Sequence, residues 1–451
     1  MIRLFCVNFQ VVFLLTVSMA RVFAADSGYF EKVFPAPENP LPGELSMPAE
    51  WRIWIPEDVA KLKGVVVHQH GCGEGSCDSG RTCVYDLHWQ ELARAHDCAL
   101  IASSFRQDNR PCEQWCDPRN GSAKSFFDAL EYFAEYTGHD ELKTVPWALW
   151  GHSGGGQWVG CMTQLYPRRV VAAWLRSGCP DTVVKTADEL PMDSDFLNTP
   201  IFLNIGAREY DIPFVWESCW NYYRKIKARN PKIGLLIDPL THHETGSSRY
   251  PAIRFFDDML TARLPSEGVE LLPAPNGFTL PISEITDKEI SAENVVKNPE
   301  NPGCNYDATE RREFLRDGLW FPNLEYVDVW RRYSLDASFD DTTPPPSPTD
   351  VQLSLSDGVL SWKCRADLES GLKTFAIYRD GVEIVQIPTA HVVNSRPVFQ
   401  GLTYSDTPDF SLPEMKFQIP DYDRDSECSY SVSAINTAGL ESRRQMVSSV
   451  L

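Results

Sequence analysis

From residue 50 to residue 265, short apolar runs rich in β-branched residues alternate with longer amphipathic ones. The runs at 51–55, 64–70, 98–105, 147–151, 170–176, 201–206 and 232–238 predict strands. The segment 123–137, where Phe126, Phe127, Leu130, Phe133 and Ala134 recur at helical spacing, predicts a helix whose aromatic face is core. Strands and helices in alternation predict an α/β domain, a mostly parallel sheet with helices on both faces. From 266 to 342 the pattern is mixed and loop-rich, and it closes on an aromatic cluster at Trp320, Phe321, Tyr326 and Trp330 that reads as a tail packed back on the first domain. The stretch "DDTTPPPSPTD" at 340–350 reads as a stiff, extended linker. Beyond it, short alternating strands and an Asp380-Gly381 hairpin turn predict a small all-β sandwich over 351–451.

The first 24 residues change this picture. Arg3, an apolar stretch to about Ala20 and then Val22-Phe23-Ala24, with small or modest residues at the −3 and −1 positions of a cleavage site, form the pattern of an export leader, so the first domain is expected over 25–339 and the chain outside the cytoplasm, secreted or periplasmic. No later stretch is long and apolar enough to span a bilayer, so no integral membrane segment is expected after cleavage. Loss of Arg3 and Arg21 with the leader takes the formal charge from −20 to −22, an acidity that repels phosphate backbones and argues against a nucleic-acid partner. Of 13 cysteines, Cys6 lies in the leader; the even remainder favours disulfides in an exported chain. No Cys-x-x-Cys pair occurs, which speaks against structural zinc. His68 and His70 alternate on one strand as metal ligands can, but Cys72 stands where a His-x-His-x-Asp pattern needs aspartate, and no metal is expected.

The chemistry starts at "WALWGHSGGG", residues 147–156, where an apolar strand runs into Gly151-His152-Ser153-Gly154-Gly155 and a segment able to form a helix. A serine held on so tight a strand-to-helix turn needs small neighbours, and the G-x-S-x-G string supplies them. A hydroxyl is a poor nucleophile at neutral pH and needs a base, and the base needs an orienting acid. "AREYDIP" after the strand at 201–206 offers Glu209 and Asp211; "PLTHHETGSS" after the strand at 232–238 offers His242 and His243.

The order serine, acid, histidine resembles that of the α/β-hydrolase superfamily. The start His70-Gly71-Cys72-Gly73 is similar to the His-Gly-x-Gly segment of secreted feruloyl esterases and polyhydroxybutyrate depolymerases. The resemblance implies an exported serine esterase that needs no cofactor. Ser153 would be the nucleophile, His243 the base with His242 the alternative, and Glu209, three residues after Gly206, the acid with Asp211 the alternative. The oxyanion would be held by the backbone N–H groups of Cys72 or Gly73 and of Gly154, with His70 tying the loop down. A short connection before the strand at 201–206 leaves no room for a large cap, which favours bulky esters, carbohydrate-linked ones among them, as the substrate partner. Trp115, set between Cys112 and Cys116 in a loop at the same face, is the candidate substrate-binding residue. A serine peptidase of the same fold and a catalytically inactive adhesion or scaffold protein are the alternative readings. The last hundred residues resemble a fibronectin type III-like module, a class of spacers and docking platforms, in which Cys364 and Cys428 are expected to point inward and pair.

Overall fold

The structure, a computed structural model, describes residues 28–41, 44–106, 114–182, 184, 187–209, 212–281, 318–388, 391–393, 396–408, 414–425 and 427–447. The leader and Asp211 lie outside the described residues. The first domain is built on an eight-stranded sheet in the order β1-β2-β4-β3-β5-β6-β7-β8. The strands are β1 (Tyr29–Phe34), β2 (Ala49–Trp54), β3 (Gly64–Gln69), β4 (Cys98–Phe105), β5 (Trp147–His152), β6 (Val170–Arg176), β7 (Ile201–Gly206) and β8 (Ile233–Asp238). β1 and β2 run antiparallel at one edge, and β4, β3, β5, β6, β7 and β8 are mutually parallel. The helices among them are α1 (Glu74–Gly80), α2 (Leu87–Ala95), α3 (Ser122–Thr137), α4 (Gly154–Leu165), α5 (Pro213–Lys227) and α6 (Arg249–Arg263).

Helices cover both faces, as β5 makes plain. Trp147 meets Phe126 and Phe127 of α3, ring centroids 5.0 and 5.6 Å apart, whereas Trp150, three residues on and therefore on the opposite face, meets Trp89 of α2 at 5.8 Å. This large mixed sheet fits the α/β-hydrolase fold. Strand β1 is not among the sequence-predicted elements; its burial alternates weakly along an edge, so its sequence lacks the apolar run of the inner strands.

The segment after α6 packs back on the domain. A hairpin of β9 (Phe278–Leu280) and β10 (Leu319–Phe321) precedes α7 (Leu324–Asp336), which lies on β8 and α6. Trp330 Nε1 donates to the Leu235 carbonyl at 2.8 Å, and the Tyr326 hydroxyl to that of Pro251 at 2.9 Å. Among the described residues, no helix is long and apolar enough to cross a membrane.

The C-terminal part is all-β. One sheet joins β11 (Thr349–Leu353), β12 (Val359–Lys363) and β17 (Lys416–Gln418); the other joins β13 (Thr374–Arg379), β14 (Val382–Ile387), β18 (Tyr430–Ile435) and β19 (Gln445–Met446), and β15 (His391–Val393) pairs with β16 (Arg396–Val398). It has its own core around Leu360, Trp362, Phe375 and Val432. The expected Cys364–Cys428 disulfide is not formed. Cys364 Sγ turns to the Arg365 carbonyl at 3.2 Å, while Cys428 Sγ accepts from Arg379 Nε at 3.1 Å, so the two sulfurs serve different neighbours. The proline-rich linker is also less free than its composition suggests, because the Asp341 carboxylate accepts from Asn436 Nδ2 at 2.7 Å and from Ser370 Oγ.

The two parts share a polar interface. Arg249 at the start of α6, buried, reaches Asp406 Oδ1 through Nε at 2.8 Å and Asp86 Oδ2 through Nη2 at 2.5 Å. Trp89 Nε1 donates to Asp406 Oδ2 at 3.0 Å, Gln400 bridges the Leu87 N–H and the Tyr85 carbonyl, and the Tyr250 hydroxyl donates to Thr437 Oγ1 at 3.4 Å. A buried arginine between two carboxylates costs desolvation that only such a fully paired geometry offsets.

Candidate active site

Ser153 sits between the end of β5 and the start of α4 with φ 54° and ψ −119°, a conformation that L residues adopt only when their surroundings impose it. Those surroundings are backbone. The Ser153 N–H donates to the Arg176 carbonyl at 2.7 Å, and the Ser153 carbonyl accepts from Gln157 N at 3.1 Å. A Cβ at Gly151 would run into the Gly155 carbonyl, one at Gly155 into the carbonyls of Gln69 and His70, and one at Gly178 into the Ser153 carbonyl. The turn therefore closes only with glycine at these places, and it leaves the serine side chain partly exposed at the ends of the parallel strands.

Loops after β7 and β8 bring the partners. His243 Nε2 lies 2.9 Å from Ser153 Oγ, and its Nδ1 hydrogen-bonds Glu209 Oε1. With Nδ1–H given to the carboxylate, Nε2 is left as the acceptor for the serine proton. Glu209 is fully buried; its Oε2 accepts from Ser177 Oγ at 2.8 Å and from Gly206 N at 3.0 Å, with Arg176 Nη1 3.7 Å away. Burial alone would push this carboxyl up, but the His243 hydrogen bond, the Arg176 guanidinium and the Ser177 hydroxyl outweigh it and hold it below the usual carboxylate range.

His242 is placed differently. Its N–H donates to Glu244 Oε1 at 3.2 Å and its carbonyl accepts from Arg176 Nη2 at 3.1 Å, while the ring of its neighbour reaches the serine.

The loop after β3 runs beside Ser153. A Cβ at Gly71 would lie 3.3 Å from Ser153 Cβ, and one at Gly154 would run into Cys72 Sγ, so this loop packs directly against the turn that carries Ser153. Gly73 has φ 95°, a value that suits glycine, and Cys72 is disulfide-bonded. His70 fixes this loop: Nδ1 donates to the Gly71 carbonyl at 2.6 Å and Nε2 accepts from Phe105 N at 3.1 Å, and burial pulls its pKa down to about 4. The rings of His68 and His70 go to separate neighbours, His68 onto Trp150 at 4.0 Å and His70 against Trp115 at 4.8 Å.

Trp115 does not open onto the cleft. It is fully buried, stacked on Phe105 at 5.5 Å, and Ser122 Oγ donates to its carbonyl, so the indole is packing beneath the loop rather than a surface for substrate. Cys112 lies outside the described residues.

Three contributors escape the sequence reading. Arg176, buried at the end of β6, binds Thr241 Oγ1 at 2.9 Å as well as the His242 carbonyl, and so ties the histidine loop to the sheet while facing Glu209. A lone charge closing an apolar parallel strand was the available signal. His152, the variable residue of G-x-S-x-G, donates from Nε2 to the His243 carbonyl at 2.7 Å and accepts at Nδ1 from Ser405 Oγ at 3.0 Å. Burial, followed by the neighbouring His243 and the Arg176 guanidinium, holds it well below the ordinary histidine pKa and thus neutral. Ser405 comes from the C-terminal part, and nothing in its local sequence announces that.

No protein-family model matches the chain, and no curated protein matches it. Solved structures align with about half of it. A thermostable esterase aligns at 17% identity and TM-score 0.33 over 47% of this chain and 54% of that one, so the chain spans little more than half of that relative's length. A ferulic acid esterase aligns at 10% and 0.38 over 52% and 96%, and the Pyrococcus horikoshii acylaminoacyl peptidase at 13% and 0.35 over 55% and 44%. Likeness at these scores carries no inference about substrate or reaction.

Proposed function

We propose that the chain is a serine hydrolase that cleaves carboxylic esters, and that Ser153, His243 and Glu209 are its catalytic residues. The observation that carries this reading is the relay itself, a strained serine 2.9 Å from an imidazole whose other nitrogen is held by a buried carboxylate. His243 Nε2 takes the proton as Ser153 Oγ attacks the ester carbonyl. The developing oxyanion accepts from the N–H of Gly154 and from that of Cys72 or Gly73. Collapse expels the alcohol, which takes its proton back from His243, and water enters by the same base to free the acid. Bulky or carbohydrate-linked esters are the substrates we favour. Export, with the C-terminal part as a fibronectin type III-like module, belongs to the same proposal and draws support from the leader pattern and from the all-β arrangement of that part.

The test is covalent labelling of the full chain with a fluorophosphonate, beside a panel of aryl and acetylated-sugar esters and peptide anilides. The wild type is expected to label once and to release acid from esters. Ser153→Ala is expected to lose labelling and to drop turnover by about 10³-fold or more. Turnover confined to anilides would make it a peptidase, and an unlabelled folded wild type would leave a scaffold.

A further inference from the structure

We propose that the turn Thr403–Asp406 of the C-terminal part is a wall of the ester site and that Tyr404 determines specificity for the leaving alcohol, favouring alcohols with a flat apolar face; this rests on the ester-hydrolase reading above. The turn is seated in the nucleophile machinery. Ser405 Oγ donates to His152 Nδ1 at 3.0 Å and accepts from Ser76 Oγ at 2.8 Å and from Gly71 N at 3.4 Å. A Cβ at Gly71 would sit 3.1 Å from Ser405 Oγ and 3.0 Å from His152 Nδ1, so the missing side chain lets the turn approach this closely.

The Tyr404 carbonyl accepts from the N–H of Thr245 at 3.3 Å, two residues past the base, and Asp406 is anchored by Arg249 and Trp89. Within the turn, Thr403 N donates to the Thr407 carbonyl at 2.8 Å. Tyr404 is thereby held on a rigid frame, its ring 6.1 Å from that of His243 and 5.6 Å from that of His152, with half its surface exposed.

Chemistry assigns the role. The leaving oxygen must come within reach of His243 Nε2 to take the proton back, so the group attached to it lies against whatever borders that ring. His152 occupies a buried side; Tyr404, half exposed, borders the other. Between Tyr404 and the loop with the proposed oxyanion donors lies a cavity of about 450 Å³ lined by Cys72, Gly73, Ser76, Asp78, Thr403 and Tyr404. That is room for a ring-sized group.

Ethyl acetate and 2-naphthyl acetate share their acyl-enzyme, so the ratio of their kcat/KM values reads the leaving group alone. With the full chain, Tyr404→Ala is expected to lower the naphthyl-to-ethyl ratio about five- to tenfold, the worth of one aromatic contact, and Tyr404→Phe to keep it. Tyr404→Leu, which keeps bulk without the flat face, should give the same fall should the alanine chain not fold. An unchanged ratio, or an equal loss on both esters, overturns the proposal while an active wild type leaves the hydrolase reading standing. A folded wild type inactive on both esters takes down that reading and this one with it.

Discussion

At the scale of single residues, the groups we propose for the chemistry were legible and those that position them were not. Ser153 stands in a string whose spacing has a steric cause, and Glu209 and His243 follow strands in the required order. The choice of His243 over His242, and of Glu209, becomes geometric only when a ring is seen to bridge serine and carboxylate. Arg176, His152 and Ser405 matter through contacts with residues far along the chain, which no local pattern encodes. The Glu209 carboxylate fixes the tautomer of His243. Glu209→Gln would present an amide N–H to Nδ1, reverse the tautomer and leave Nε2 carrying a proton it cannot take twice. Steady-state kinetics on an aryl ester, with folding checked by near-UV circular dichroism, should show kcat lowered by about 10³–10⁴-fold. A loss of less than about tenfold would move the orienting role to another acid.

At the scale of elements, the inner strands were readable because strands buried on both faces are continuous apolar runs, and β4, β6 and β7 fall at the residues expected. The half-exposed β1 carried no such run, and the loop holding Trp115 misled because the pattern of an aromatic between two cysteines says nothing of which way the indole turns. The turn at Ser153 is where sequence and geometry agree most closely. A Cβ at Gly155 would overlap the Gln69 and His70 carbonyls, and these are main-chain atoms of the central strand and its loop, with no side chain able to swing aside. Gly155→Ala is therefore expected to cost about 3 kcal/mol or more in urea unfolding and to abolish fluorophosphonate labelling. Gly75→Ala supplies the contrast: a Cβ there meets open space within α1, and stability should hold or rise by up to about 1 kcal/mol.

At the scale of the whole molecule, the chain joins its two parts through buried charge and buried histidine, and this makes their union sensitive to pH. His88 of α2 bonds the Leu368 carbonyl through Nε2 at 2.8 Å across the interface. Burial, then the nearby Arg249 charge, pulls its pKa down to about 4, against the pull of Leu368, Asp86 and Asp406 in the other direction; His70, in the loop beside Ser153, is likewise pulled down to about 4. A histidine whose folded pKa lies below its unfolded value of about 6.5 is neutral in both states at pH 7, but between those values the unfolded chain binds the proton and the folded one resists it. Stability is thus intact above about 6.5 and falls as pH drops toward 4. From pH 7 to pH 5 each of these two histidines should remove on the order of 2 kcal/mol. Asp406, held at about 2 against its own burial by the Arg249 charge, stays ionised throughout that interval, so the loss belongs to the histidines and not to the ion pair beside them. Urea unfolding at pH 7 and pH 5 measures the difference, and His88→Gln, which keeps a donor for the Leu368 carbonyl but cannot titrate, should reduce it by about 2 kcal/mol. If the variant loses as much stability over that interval as the wild type, protonation at the interface is not what loosens it.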